Sequence, residues 1–149
     1  MISERRNTLF YVCALIEYIS RETLNHRGYV VDKIGKTGMQ KLFKDASVNH
    51  CLTFEQVSAE VIEQYCIEDG SYDTISDCKY SIPSCIDVGK IYAYLTEILS
   101  TDESADVDMV MKIFESFLSD AISDFKTGVY FENLSYLSES FKSGKMLEL

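Results

Sequence analysis

His50 and Cys51 are the two residues of this chain whose types and adjacency could support covalent chemistry. They lie in the stretch VNHCLTFEQ, within a chain that contains two histidines and five cysteines. A thiolate–imidazole pair needs both side chains within hydrogen-bond reach, and in thiol enzymes the two come from distant parts of the chain. Because neighbours in sequence usually point apart, we expect packing and local hydrogen bonding at this pair. An enzyme that uses His50 and a cysteine is the alternative, and it predicts a Cys51 thiol that reacts readily with alkylating agents.

The residues that follow this pair have the pattern of a helix start. Thr53 and Gln56 have capping-box spacing, in which the hydroxyl accepts from a free amide while the glutamine reaches back to the cap residue. We expect Cys51 and Leu52 to staple against the first helical turn. An apolar stripe then predicts three turns of helix: Phe54, Val57, Val61, Ile62 and Tyr65.

Metal sites and common catalytic motifs have no match in the sequence. The five cysteines include no CxxC pair of the kind that zinc sites use. Acids between Asp69 and Asp77 alternate as in a calcium loop, but Thr74 replaces the turn glycine and Tyr80 replaces the bidentate glutamate. Neither a Gly-rich phosphate loop nor a nucleophile elbow is present. We therefore predict no catalytic residue, no metal ligand and no cofactor.

Acidic residues dominate the charge of the chain, with 24 acids against 14 bases and a net charge of −10. Such a surface repels nucleic-acid phosphate. It fits a protein partner with a basic surface, or simply a soluble cytosolic protein, because net charge sets solubility before it sets function. Two segments are the candidate contact surfaces. The first is an irregular segment, here called the acidic loop, with Glu68, Asp69, Asp73 and Asp77. The second, the acidic turn, contains Asp102, Glu103, Asp106 and Asp108, although capping of a helix start also accounts for these acids.

The N-terminal apolar run does not match a targeting or membrane segment. Residues Thr8 to Ile16 are too few to span a bilayer, Glu17 interrupts the run, and no small-residue cleavage site follows. We therefore expect no membrane association and a cytoplasmic location, where cysteines stay reduced. The odd number of cysteines also argues against a closed disulfide framework.

Helical periodicity is the dominant pattern along the chain. It predicts an all-α fold without a sheet, formed by a single domain over residues 1–149 with about six or seven helices. We expect a turn at Gly28, two short helices around Gly35 to Gly38 with a Thr37 cap, and Gly89 as a mild liability within its helix. The main predicted helices span Leu9–Ile19, Val88–Leu99 and Val107–Phe125, the last being the central one, and a final helix begins near Asn133.

Three phrases of the sequence together resemble a known family. ERRNTLFYVCALIEYISRET, VNHC and SIPSCIDVGKIYAYL resemble small acidic helical proteins of anaerobic bacteria, often encoded beside a predicted ADP-ribosyltransferase-like toxin. The resemblance implies a binding protein, the neutralising half of a toxin–antitoxin pair. It brings no assigned functional residue with it.

The leading hypothesis from the sequence is thus a non-enzymatic, antitoxin-like protein that covers the active site of a toxin. A phage-type inhibitor that mimics nucleic acid with carboxylates is an alternative, and it predicts acids aligned on one face at phosphate-like spacing. A homodimer is compatible with the tyrosine-rich segments Tyr92–Tyr94 and Tyr130–Tyr136, because tyrosine suits interfaces. Core packing is the competing use of these tyrosines.

Overall fold

A computed structural model describes residues 3–148, and within this range the chain forms helices and no strands, which confirms the all-α prediction. Two short 3-10 helices, Glu103–Ala105 and Val129–Phe131, accompany seven α-helices. The α-helices are α1 (Glu4–Thr23), α2 (Arg27–Asn49), α3 (Phe54–Gln64), α4 (Cys85–Leu99), α5 (Asp106–Glu115), α6 (Phe117–Ser123) and α7 (Leu134–Ser143). None of the helices described is long and apolar enough to cross a membrane.

Helix α1 lies at the centre of the fold. Residues Val12 to Glu17 are all buried, which is possible only because other helices cover α1 on several sides. Helix α4 approaches α1 closely, because a Cβ atom added to Gly89 would lie 2.6 Å from the Ala14 backbone nitrogen. Gly89 is therefore required for this helix contact, and its interpretation as a mild liability was wrong.

The Val107–Phe125 prediction of one central helix was also wrong. The helix is interrupted at Ser116, whose extended backbone (φ −86°, ψ 168°) ends α5 and caps α6. The Ser116 hydroxyl donates to the Ile113 carbonyl and accepts from the Leu118 amide, so it satisfies backbone groups on both sides of the break. Apolar residues nevertheless keep helical spacing across it, because α5 and α6 pack against the same core.

Helix α2 differs from its prediction at its start and agrees with it at Gly35. Gly28 lies inside α2 rather than at a turn, and its missing side chain lets α2 approach the backbone of Phe114 and Glu115 closely. Gly35 has a non-helical backbone (φ 72°, ψ 171°), so α2 consists of two helical segments that meet at this residue. This agrees with the prediction of two short helices around Gly35 to Gly38, with Thr37 in the first turn of the second segment.

Helix starts elsewhere agree with the sequence. The Thr53–Gln56 capping box is confirmed, with both reciprocal hydrogen bonds at 3.1 Å. Ser84 caps α4 and Asn133 caps α7 through their side chains. Cys51 and Leu52 are exposed, however, so the expected staple against α3 is absent. Of the tyrosines considered for an interface, Tyr92 is 1% exposed and stacks on Phe114, so it belongs to the core.

Candidate functional site

The acidic loop is part of the irregular segment between α3 and α4, and its backbone is fixed to the α1–α2 junction. The Gly70 amide donates to the Thr23 carbonyl at 2.7 Å, and the Tyr72 amide donates to the Leu24 carbonyl at 2.8 Å. The buried Asn25 side chain donates to the Glu68 carbonyl at 2.7 Å. Three hydrogen bonds thus hold the first half of a segment that has no helix or strand. They determine where the carboxylates of the segment lie.

Gly70 makes this attachment possible. A Cβ atom at this position would lie 2.3 Å from the Asn25 Oδ1 and 2.5 Å from the Leu24 carbonyl oxygen. Both distances are far below van der Waals contact, and the Leu24 oxygen belongs to the backbone. Any larger residue would therefore push the acidic loop away from the α1–α2 junction.

Asp73 organises the tip of the acidic loop. Its Oδ1 accepts hydrogen bonds from the Ile75 amide at 2.9 Å and the Ser76 amide at 3.0 Å. Hydrogen bonds from the Ser76 hydroxyl and backbone, and from the Ile75 backbone, lower the pKa of Asp73 to about 2. The carboxylate is consequently ionised at any physiological pH and stays exposed at the surface.

Four carboxylates line a single depression, here called the acidic cleft. Asp73 and Asp77 come from the acidic loop, and Asp120 and Asp124 come from α6 and its C-cap. The cleft has a volume of about 270 Å³, and among the residues that the structure describes Lys126 is the one basic side chain that lines it. Carboxylates that are distant in sequence thus share one surface, and their like charges strengthen the negative potential there.

His26 lies beside this cleft and contacts two of its lining residues, Asp120 and Tyr72. Its Nδ1 lies 2.8 Å from the Asp120 Oδ1, and its ring stacks on Tyr72 with 3.7 Å between the ring centroids. The contact joins α6 to the acidic loop. Sequence reasoning did not find His26, Asp120 or Asp124, because only the folded loop brings them near Asp73 and Asp77.

A buried charge cluster lies beneath the acidic loop. The Arg27 guanidinium binds both oxygens of Glu17, with a Nε–Oε1 distance of 2.8 Å, and neither side chain is exposed. Arg21 donates to Glu17 at 2.7 Å and to the Pro83 carbonyl at 2.8 Å. Burial alone would raise the pKa of Glu17, but the hydrogen bonds and charges of the two arginines outweigh burial and lower it. The cluster therefore fixes the end of the irregular segment to α1.

The sequence contained a signal for this cluster that was not used. Glu17 lies inside the most apolar run of α1, and a carboxylate on a buried helix face requires a cation partner.

The predicted contact residues divide into two groups. Glu68, Asp69, Asp73 and Asp77 are all exposed, and within residues 3–148 none of them lies within ion-pair distance of a lysine, arginine or histidine. In the acidic turn, Asp106 requires a correction. It is 2% exposed and accepts two hydrogen bonds of 2.8 Å from the Arg5 guanidinium, so it does not face a partner.

The other acids of the acidic turn have local roles. Asp102 caps the 3-10 helix by accepting from the Ser104 amide at 2.9 Å. Asp108 lies 3.3 Å from the Lys36 Nζ, in an ion pair that is more than half exposed on both sides. Glu103 is exposed. The acidic turn therefore presents less unpaired charge than the acidic loop.

The side chains of His50 and Cys51 approach each other at the end of α2. The Cys51 Sγ is 4.0 Å from the His50 Nε2, and both residues are exposed where α2 ends. The distance is at the outer limit of a sulfur hydrogen bond. No other titratable side chain hydrogen-bonds to the pair in the described part of the chain, so the orienting third group of a catalytic arrangement is not seen. A reactive role for this pair stays a prediction.

The geometry defines a class of protein: an all-α domain with an anchored, non-helical acidic loop that completes a carboxylate-lined cleft. Between residues 3 and 148, no group of three or more histidine, cysteine or acidic side chains is arranged to hold a metal ion. No family model matches the chain, and no curated protein or solved structure is significantly similar to it. The functional assignment therefore rests on the residues described above.

Proposed function

We propose that this protein is a non-enzymatic binding module that uses the acidic cleft to bind the basic surface of a partner protein. The single observation that carries the proposal is the convergence of Asp73 and Asp77 with Asp120 and Asp124 in one cleft. Of these four, only Asp120 has an ion-pair partner within the described residues, and that partner is His26. The remaining charge is available for a partner.

Attachment of the acidic loop supports this proposal energetically. Binding costs free energy when loops and side chains must be ordered, and a preorganised surface avoids part of that cost. The backbone hydrogen bonds from Gly70 and Tyr72 and the stacking of Tyr72 on His26 supply this order before any partner arrives.

Long-range charge supports the same conclusion. A protein of net charge −10 attracts basic surfaces over distances of about a Debye length and repels nucleic acid. Complementary charge mainly raises the association rate and selects the partner, while desolvated contacts determine how slowly the complex dissociates. An antitoxin-like protein that covers the basic active-site groove of a toxin needs both properties, and this is the biological role that we propose.

The test is binding to, and neutralisation of, the protein encoded by the adjacent gene. We expect co-purification of the two proteins and loss of the neighbour's toxicity when both are expressed. The double substitution Asp77→Asn with Asp124→Asn should lower the affinity about tenfold at low ionic strength, because two cleft charges are lost. Asp73 is left intact because it also holds the loop tip.

A matched control has the same change in net charge at a different place. Glu103→Gln with Glu139→Gln removes two exposed carboxylates that do not line the acidic cleft, and we expect less than a twofold change in affinity. Equal losses in the two double variants would refute the acidic cleft as the binding surface. No interaction and no effect on toxicity would refute the antitoxin role. A complex that double-stranded DNA displaces would instead favour the nucleic-acid mimic.

A further inference from the structure

A depression with aromatic walls, here called the aromatic shelf, adjoins the acidic cleft and shares Lys126 with it as a lining residue. It has a volume of about 360 Å³, and its aromatic residues are Tyr80, Phe125, Tyr130 and Phe131. Tyr80 belongs to the irregular segment that also contains the acidic loop, whereas the other three lie between α6 and α7. The segments that form the acidic cleft therefore continue into an aromatic surface.

Two rings of the aromatic shelf face solvent. Phe131 is 80% exposed, the largest fraction among the large apolar side chains that the structure describes, and Tyr80 is 67% exposed. The Phe131 ring packs on Tyr130 with 4.4 Å between centroids, and Tyr130 meets the buried Phe125 edge-on at 5.6 Å. These contacts fix an exposed ring in place. Exposed aromatic groups of this kind mark binding surfaces, because they bury a large apolar area when a partner arrives.

Charge around the aromatic shelf selects its occupant. Within residues 3–148, Lys126 is the only charged side chain that lines the shelf itself, and the adjoining acidic cleft adds four carboxylates. A second copy of the chain would bring a second acidic cleft close to this one, since a two-fold interface places the same patch on both partners. Nucleic acid and anionic lipid surfaces are repelled by the same carboxylates.

A basic partner protein satisfies both parts of this surface. Its cations fit the acidic cleft, where the four carboxylates outnumber the one lysine. On the aromatic shelf, Lys126 disfavours a cation, whereas the exposed rings favour an apolar side chain. The partner must therefore carry an apolar side chain next to its basic residues.

We infer that the aromatic shelf receives an apolar side chain of the partner protein, adjacent to the basic residues that enter the acidic cleft. The inference rests on the proposed function, since it extends the same binding surface. The two parts of the surface act on different rate constants. The carboxylates attract the partner and raise the association rate, whereas the desolvated aromatic contact slows dissociation.

Two synthetic peptides serve as probes for this surface. Each carries four arginines, with tryptophan at the centre of one peptide and serine at the centre of the other. The protein contains no tryptophan, so tryptophan fluorescence reports only on the peptide, and the serine peptide is measured by competition. We expect the tryptophan peptide to bind about five- to tenfold more tightly, and stopped-flow measurements should show that it dissociates more slowly.

Phe131→Ser should remove this preference. We expect it to weaken binding of the tryptophan peptide about five- to tenfold, through faster dissociation, and to leave binding of the serine peptide within about twofold. Val48→Ser is the matched control, because Val48 is 69% exposed but lines neither the aromatic shelf nor the acidic cleft. It should leave the affinity for both peptides unchanged. Asp77→Asn with Asp124→Asn should weaken both peptides equally, through slower association.

The outcomes separate this inference from the proposed function. Equal affinities for the two peptides, or a tryptophan preference that survives Phe131→Ser, would overturn the inference and leave the acidic cleft as the binding surface. No binding of either peptide, or no effect of Asp77→Asn with Asp124→Asn on either one, would overturn both. Sedimentation that shows a dimer of the unchanged protein and a monomer of Phe131→Ser would also overturn the inference, because the aromatic shelf would then serve a second copy of the chain.

Discussion

The acidic loop and the acidic turn each contain four of the carboxylates that the sequence singles out, but the fold uses the two sets differently. In the acidic turn, Arg5 binds Asp106, Lys36 pairs with Asp108, and Asp102 caps a helix. In the acidic loop, hydrogen bonds from backbone groups hold the chain, and the side chains stay exposed. Charge density along the sequence therefore does not show which carboxylates remain for a partner. Whether a carboxylate is paired or remains for a partner depends on where the cations of other helices lie.

Of the substitutions in these two acidic regions, Asp106→Asn should have the largest effect on stability. The substitution weakens a buried, bidentate contact and leaves the Arg5 guanidinium, which is 27% exposed, without its counter-charge. We expect the free energy of unfolding to fall by about 2–3 kcal/mol, somewhat below the value for a fully buried pair. Urea denaturation measures this change. Asp108→Asn in the same segment is the control, and it should cost less than about 0.5 kcal/mol because its ion pair is exposed. Equal costs would contradict the distinction between these two acids.

Gly70→Ala is expected to have the next largest effect, and it acts on the acidic loop. The new methyl group would collide with the Leu24 carbonyl and Asn25 side chain, at a cost of about 1–3 kcal/mol. Hydrogen exchange should show that the amides of residues 70 and 72 lose protection while the amides of α1 stay protected. Gly128→Ala is the control, since no atom lies within 4 Å of its added Cβ. Unchanged protection in Gly70→Ala would mean that the attachment does not order the loop.

Acid should loosen the tip of the acidic loop before it affects the loop's attachment. The pKa of Asp73 is lowered from 3.8 to about 2 in the folded protein, so its stabilising contribution is complete above 3.8. That contribution is lost as the pH falls towards 2, because the native carboxylate must then take up a proton. NMR of the Ile75 and Ser76 amides should follow a titration near pH 2. A titration near 3.8 would contradict the hydrogen bonds to Asp73.

Neutralising the acidic cleft should have the smallest effect on stability. Asp77→Asn with Asp124→Asn removes two exposed charges that have no ion-pair partner in the described residues, so the free energy of unfolding should stay within about 0.5 kcal/mol. Thermal denaturation at low and high salt measures it. A clear loss of stability would show that these carboxylates support the fold and are not reserved for a partner.

Local features of the fold, including the helix break at Gly35, were predictable from the sequence, whereas the break at Ser116 and the contacts between helices were not. The caps at Thr53, Ser84 and Asn133 follow from side chains that reach amides two or three residues away. The break at Ser116 was missed because the apolar spacing continues through it. Gly89 was misjudged because its value depends on Ala14 in another helix.

The candidate site shows the same limit. The sequence identified Asp73 and Asp77, since acids in an irregular segment are expected at the surface. It did not identify Asp120 and Asp124, which appeared to belong to one long amphipathic helix. Their place in the acidic cleft depends on the attachment of the acidic loop near Thr23 and Leu24, a long-range contact that no local pattern encodes.

The buried charge cluster has a consequence for how this sequence can change. Arg27 without Glu17 would be an uncompensated charge in the core, and Glu17 without Arg27 would keep only the Arg21 guanidinium as a partner. We expect the two positions to tolerate replacement by apolar residues only together, with Arg21 then free to lose its charge as well. A double-mutant cycle over Glu17→Met and Arg27→Leu measures this coupling, and additive losses would disprove it. We therefore expect stable variants without this ion pair to carry substitutions at both positions, because a single substitution at either position lowers the stability of the fold.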